Sequence, residues 1–454
     1  MVKFRNPLKA RAQRKPRVVV LGLDGVPWTY LQRQFGAGEL PNLAALVRDG
    51  ALAQMDTSIP NVSSTAWATF MTGQNPGKHG IYGFVDRTPG SLKTYVPTSR
   101  NLRSPAVWEV LSEQDKRVFS MNVPGTFPSR PANGTIIGDF LSPSVAKAAP
   151  NAKVAEDLAR FGYVLDADPT LAHRDKGRFL DHIEEVLDKR MTAVRHFWHQ
   201  EPWDLFVAHV METDRMHHFL WGEMEEGHPD YAPRFLEVYK RVDDAVGEVR
   251  SWLDEDTRLV VLSDHGFCSI QKELNVNTWL QSVGELAFTT DSPSGLSDMA
   301  AGSRAYALDP GRLFLNVKGR EPEGCIEPGA EYERVRDELA DAVLGIIDDD
   351  GAPMVAKVFR REELYAGPHA ERGADLVLEM HDGYDAKGAF GKAEVAAKGP
   401  ALTGMHTTPD AFLYVSGVGS FDRRPHMQDL APTLCALLGA EVPPDMDGAP
   451  LAAA

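Results

Sequence analysis

The chain has 454 residues, 43% of them hydrophobic, and carries a net charge of −16 with only three cysteines. That length is enough for two or three average domains or one large α/β core, and no apolar run approaches the roughly eighteen residues of a membrane span. The acidic balance argues against general binding to nucleic acid polymers, although a local basic pocket would still hold a phosphate.

Residues 1–15 form a basic tail without the apolar core of a signal peptide, so secretion is not expected. A solvated tail is the plain reading, with weak contact at an anionic membrane surface as the alternative. Cys268, Cys325 and Cys435 are few and widely spaced, which fits a reducing compartment, with the cytoplasm as default.

From residue 16 onward strands and helices alternate, the pattern of a doubly wound α/β core. A strand over 17–23 leads to a helix over 42–48 and an extended stretch over 51–55. A helix over 65–71 closes at Thr72-Gly73, and a helix over 106–111 precedes a strand over 117–121. Helical periodicity over 177–199 feeds the apolar run 205–210, and a second long helix over 234–253 feeds 259–262. After a strand over 412–415, the last helix spans 428–438, with Asp429 in its first turn and Gly439 as its stop. Residues 86–176 are rich in Pro, Gly and Ser, and 291–303 read as a flexible loop. The expected organisation is one catalytic domain over 16–454 with cap-like insertions near 86–176 and 285–400.

Chemistry gathers beside the predicted strands. Asp24 follows the first, Asp214 and His218 follow 205–210, Asp264-His265 follow 259–262, and His406 precedes 412–415. Three carboxylates and three imidazoles at one sheet edge suit a pair of hard or borderline divalent ions, with zinc fitting best and manganese next. Two such ions would activate a nucleophile and hold a leaving oxygen in phosphate ester hydrolysis. A hydroxyl nucleophile belongs near a helix N-terminus, where Ser63-Ser64-Thr65 stand. Taken alone, those three hydroxyls would read as helix caps.

These motifs resemble the alkaline phosphatase superfamily, especially its type I phosphodiesterase and nucleotide pyrophosphatase branch and the phosphohydrolases or phosphomutases predicted within it. The resemblance runs from Leu23-Asp24-Gly25 through Asn122-Val123-Pro124-Gly125-Thr126 to Asp429-Leu430-Ala431-Pro432-Thr433 and Pro444-Asp445-Met446-Asp447-Gly448. It implies an alkaline phosphatase-like α/β fold with a mostly parallel central sheet flanked by helices. It further implies one metal on Asp214, His218 and His406 and another on Asp24, Asp264 and His265, the second shared with the nucleophile. Counting nine residues back from Thr72, as the branch pattern does, gives Ser63, which leaves Ser64 and Thr65 as capping or supporting residues. The implied activity is hydrolysis of a small-molecule phosphate ester, most naturally a phosphodiester, through a phosphoserine. Where the branch has a phosphate-binding Asn this chain has Phe84, so nucleotide specificity does not transfer.

Other readings have less support. A sulfatase signature would need an Arg that Ser63-Ser64-Thr65-Ala66-Trp67 lacks, and the serine context of a phosphoglycerate mutase is absent. Phosphomonoesterase, phosphomutase and phosphoryl-headgroup transferase remain alternatives within the superfamily, and a phosphate-binding scaffold is the non-enzymatic one. His217, His79 and His209 read as structural rather than ligating, and Met211, Met216 and Trp221 as packing. Asp445 and Asp447 read as turn caps, and the charges over 181–190 as a solvated helix face.

Overall fold

In the first strand, β1 (Arg17–Leu23), Val18 and Val20 face one side and Val19 and Leu21 the other, all of them buried. A strand apolar on both faces belongs in the middle of a sheet covered on both sides. The computed structural model, which describes residues 15–200 and 202–451, places it there. The central sheet also contains β2 (Gly50–Met55), β3 (Val118–Met121), β4 (Gly134–Ile137), β5 (Leu205–Val210), β6 (Thr257–Leu262) and β7 (Ala411–Ser416). Their order is β2-β7-β6-β1-β5-β3-β4. Only β7 runs against its neighbours, so the sheet is mostly parallel.

The helices labelled here are α1 (Trp28–Ala37), α2 (Ser63–Thr72), α3 (Lys176–Gln200), α4 (Glu212–Glu225), α5 (Tyr231–Ser251), α6 (Ala330–Leu344) and α7 (Leu430–Leu437). One face of the sheet packs on α3, α4 and α5 through Phe179, Ile183, Phe219, Phe235 and Tyr239. The other packs on α2 and α7 through Trp67, Phe70, Leu430 and Leu434.

The stretch 86–176 is more than an insertion, because it supplies β3 and β4. Four residues of strand amid turn formers gave β4 too little periodicity to stand out. Helix α1 was also missed, since Pro27 at its start and Gly36 inside it disguise a helix that ends at a left-handed Gly38. The stretch 285–400 builds a body of its own: a four-stranded antiparallel sheet of residues 305–308, 312–315, 376–380 and 355–360, with α6 on it and a separate apolar cluster inside. Arg312 to Asp86, and Arg87 to Glu321 at 2.8 Å, tie it to the 82–95 segment.

The charges over 181–190 are not all solvated. Arg190 is fully buried and meets Glu212 at 2.6 Å, because α3 lies against α4 there. Nor do Asp445 and Asp447 only cap their own turn: the Gln74 amide donates to Asp445 at 2.9 Å, and Asn75 and Lys78 bind Asp447. Residues 1–14 lie outside the described residues, and with them most of the basic tail.

Candidate metal and nucleophile site

Three neighbouring strands, β6, β1 and β5, end at the same edge of the sheet, and each releases a carboxylate there. Asp24 follows β1, Asp264 follows β6, and Asp214 sits in the first turn of α4 just beyond β5. His218 is one helical turn after Asp214, on the same face of α4. His265 follows Asp264 and precedes a two-stranded antiparallel ribbon of Gly266–Ser269 with Gly404–Thr407, in which His406 pairs with Phe267. That pairing carries His406 across more than a hundred residues of sequence to stack on His265, with ring centroids 3.5 Å apart. The structure therefore brings all six predicted ligand residues together.

Hydrogen bonding fixes which ring nitrogen each histidine offers. Nδ1 of His265 donates to the Gly266 carbonyl at 3.1 Å, Nδ1 of His406 to Asn61 at 2.9 Å, and Nδ1 of His218 to Gly404 at 3.3 Å. A carbonyl only accepts, so the proton is on Nδ1 and each Nε2 presents a lone pair in the neutral ring. These lone pairs converge on carboxylate oxygens. His406 Nε2 lies 3.2 Å from Asp214 Oδ1 and 3.1 Å from His218 Nε2, while His218 Nε2 is 3.4 Å from the same Asp214 oxygen. His265 Nε2 lies 3.3 Å from Asp264 Oδ2 and 3.6 Å from Asp24 Oδ1. Burial, followed by the unfavourable interaction with the stacked His406 ring, pushes His265 down to about 3, which keeps it neutral.

Lone pairs facing carboxylates repel one another unless a proton or a metal cation lies between them. Asp264 reports the same deficit: its Oδ1 accepts from the Gly25 amide at 3.0 Å, while its buried Oδ2 has no hydrogen-bond partner. Burial, then the charges of Asp24 and Asp214, hold Asp264 well above the usual carboxylate range. Two donor groups, Asp24–Asp264–His265 and Asp214–His265–His406, have ligand atoms within 4.8 Å of one another. His218 completes the second group at the distances above. The residues present fit divalent ions.

Ser63 is the first residue of α2, and its Oγ lies 3.2 Å from both Asp24 Oδ1 and His265 Nε2. The helix starts one residue earlier than the cap reading requires. Val62 occupies the N-cap, the Thr65 and Ala66 amides bond to its carbonyl, and Ser64 Oγ and Thr65 Oγ1 have no partner. None of the three hydroxyls caps the helix, so that expectation for Ser64 and Thr65 is corrected.

Asp24 is held by Trp67, which the sequence did not single out, and by His209, which it marked as structural. The Trp67 indole donates to its Oδ2 at 2.9 Å, and His209 Nε2 meets the same oxygen at 2.7 Å. Burial raises the Asp24 pKa, but the His209 hydrogen bond and nearby imidazoles outweigh it and the net shift is downward. Trp67 reaches this oxygen over Gly22, where a Cβ would meet its ring at 2.4 Å. His209 is thus a buried histidine with a task at the site. His217 is structural, donating from Nδ1 to Gly25 at 3.1 Å and accepting from the Tyr239 hydroxyl at 2.9 Å. His79 is structural too, bonded to Thr69 at 3.1 Å and to the Ile81 amide at 3.2 Å.

Beside the site a cavity of about 700 Å³ runs from His218 and His406 past Phe84 to Asp309, Met380 and Lys387 of the inserted body. Among the described residues no helix is long and apolar enough to cross a membrane.

None of the curated proteins compared matches the chain significantly. Phosphonoacetate hydrolase from Sinorhizobium meliloti 1021, in complex with phosphonoformate, superposes with a TM-score of 0.63 at 18% identity over 95% of this chain and 98% of its own. Murine ectonucleotide pyrophosphatase/phosphodiesterase 5 with AMP gives 0.56 at 16% identity over 95% and 96%. Wild-type alkaline phosphatase PafA gives 0.63 at 15% identity over 97% and 99%. These likenesses show an alkaline phosphatase-like fold. The model of the family described as type I phosphodiesterase / nucleotide pyrophosphatase matches residues 18–408. This chain, a phosphohydrolase, belongs to the type I phosphodiesterase / nucleotide pyrophosphatase family.

Proposed function

We propose that the protein is a phosphodiesterase that uses Ser63 as a covalent nucleophile at a binuclear site. The observation that carries this reading is the convergence of three Nε2 lone pairs with three carboxylates, Ser63 Oγ lying 3.2 Å from Asp24 and from His265 among them. Asp24, Asp264 and His265 would hold one divalent ion and Asp214, His218 and His406 the other, zinc before manganese. Such ions supply positive charge that lowers the pKa of a hydroxyl and offsets charge on a leaving oxygen.

Asp24 and His265, as ligands of the ion shared with Ser63, would place Oγ for attack on phosphorus, and the Ser63 proton, made more acidic by that ion's charge, would leave to solvent water. The bond from Oγ to phosphorus forms as the ester bond to the leaving group breaks, and water then cleaves the phosphoserine and regenerates the hydroxyl. Ser63 opens α2, so the free amides of that helix start face a bound phosphoryl oxygen and favour its negative charge. The cavity toward the inserted body receives the leaving group. The unpaired cysteines support a cytoplasmic location.

The test is a screen of purified protein against aryl phosphodiesters, phosphomonoesters, phosphonates, sulfates and nucleotide pyrophosphates, with elemental analysis of the same sample. Diesters are expected to turn over fastest, with close to two metal ions per chain. Chelation should abolish turnover, and zinc or manganese should restore it. Full activity in protein containing no metal would overturn the reading.

A further inference from the structure

Arg215 stands next to Asp214 on α4, yet its side chain turns back onto its neighbour. Nη1 donates to Asp214 Oδ2 at 3.0 Å, whereas the other carboxylate oxygen, Oδ1, faces His218 and His406. The remainder of the guanidinium is engaged by Asp166: Nε donates at 2.9 and 3.1 Å and Nη2 at 2.8 Å, a bidentate pair. Phe140 packs against the guanidinium, 5.2 Å from its ring centroid, and itself meets Phe84 edge-on at 6.1 Å. Asp166 and Phe140 both come from the 86–176 stretch, so that stretch reaches Asp214 through Arg215.

We propose that Arg215, clamped by Asp166, is a positioning residue that fixes the rotamer of Asp214 so that Oδ1 is presented toward His218 and His406. This rests on the metal-site reading above. A free carboxylate at the start of a helix samples two oxygens and several rotamers. A fork of donors held rigid at its far end leaves it one. Arg215 alone would also place a positive charge against a cation site and weaken it. Asp166 cancels that charge while keeping the geometry, which accounts for a carboxylate pair on one guanidinium. Partners of metal-ligating side chains of this kind are worth about 10-fold to 100-fold in metal affinity.

Electrostatics and positioning predict opposite signs, which makes the proposal testable. If Arg215 acted only through its charge, Arg215→Met would tighten zinc binding. If it positions Asp214, Arg215→Met and Asp166→Asn should each weaken one of two zinc ions by about 10-fold to 100-fold and shift the other less than about threefold. Arg215→Lys, which keeps the charge and loses the fork, should weaken it nearly as much as Arg215→Met. The measurement is zinc titration against a chromophoric chelator, with circular dichroism confirming that each variant is folded. Unchanged or tighter zinc binding in Arg215→Met, alongside two ions in the parent protein, would overturn this inference and leave the metal reading intact. A parent protein that binds no zinc would overturn both.

Discussion

Asp264 at the sheet edge and Asp375 in the inserted body are both wholly buried carboxylates, and they are treated in opposite ways. Asp375 accepts from Arg320 at 2.7 and 2.6 Å, from the Tyr332 hydroxyl at 2.8 Å, from the Leu315 amide at 2.7 Å and from Arg361 at 3.2 Å. Burial works to raise its pKa, but the Arg320 hydrogen bonds and charge outweigh it, and the carboxyl sits below its usual range. Asp264 has one amide donor, an orphaned oxygen and two carboxylate neighbours, and its pKa sits far above. A protein that satisfies one buried carboxylate with five hydrogen bonds has the means to satisfy another. Where it leaves a carboxylate short beside convergent imidazole lone pairs, the site suits a partner from outside the chain, as the proposed metal ions would be.

The largest effect should come from the hydroxyl at the unsatisfied end of this comparison. Ser63→Ala should lower kcat for an aryl phosphodiester by about 10⁴-fold or more, as loss of a covalent nucleophile does, while all six Asp and His donors remain to keep zinc bound. Ser64→Ala removes a hydroxyl without a partner and should leave kcat within severalfold of the parent. A phosphoryl group trapped on Ser64 or Thr65 by mass spectrometry would move the nucleophile by one or two residues.

Adjacent histidines sharpen the same contrast on α4. His218→Ala should remove one zinc ion per chain and most turnover. His217→Ala breaks bonds to Gly25 and Tyr239 and should cost stability, about 1 to 3 kcal/mol for leaving buried groups unpaired, with zinc content unchanged. Elemental analysis of both variants decides which is the ligand.

At the satisfied end, Asp375→Asn should destabilise the fold by about 3 to 5 kcal/mol, because two arginines would then face a neutral amide in the interior. Urea unfolding followed by circular dichroism reads this, and the zinc stoichiometry of the folded protein should not change. A variant as stable as the parent would show that the inserted body does not depend on its buried ion cluster.

The unsatisfied end was more legible in the sequence than the satisfied one, for a physical reason. Asp24, Asp264 and His265 sit directly after apolar runs, and Asp214 and His218 have helical spacing, so short-range pattern places them. His406 is close to a predicted strand, although the long-range strand pairing that delivers it could not be foreseen. The supporting partners lack any such signature. Asp166 lies 49 residues from Arg215, Trp67 lies 43 from Asp24, and Glu212 lies 22 from Arg190, whose position within a charged run suggested solvent. Ordinary residue types in ordinary helices become partners only through the fold. The core strands β1, β5 and β6 were legible from their continuous apolar runs, whereas four-residue β4 and the inserted sheet, built mostly from strands of four to six residues, were not.

The expectation sharpest in sign is the pH dependence of the metal-free protein. Asp375 has a folded pKa below its unfolded value near 3.8, so its stabilisation is present above that pH and is lost as the pH falls through the folded value. Asp264 is the reverse. Above 3.8 the unfolded chain has released this proton and the folded chain retains it, so stability declines as the pH rises toward the folded pKa. Burial pushes His79, His217 and His265 down to about 3, and up to roughly pH 6.5 these give a slope of the opposite sign, which hides Asp264 in the parent alone. Comparing Asp264→Asn with the parent in chelator cancels the histidines. The stability advantage of the variant should widen as the pH rises above about 4, by up to about 1.4 kcal/mol per pH unit, until the pH reaches the folded pKa. Saturating zinc should reverse the ranking, since the parent then gains the ion and the variant has lost an anionic ligand. An advantage that stays constant with pH would mean that Asp264 is already ionised without metal, and that its orphaned oxygen has a partner in solution.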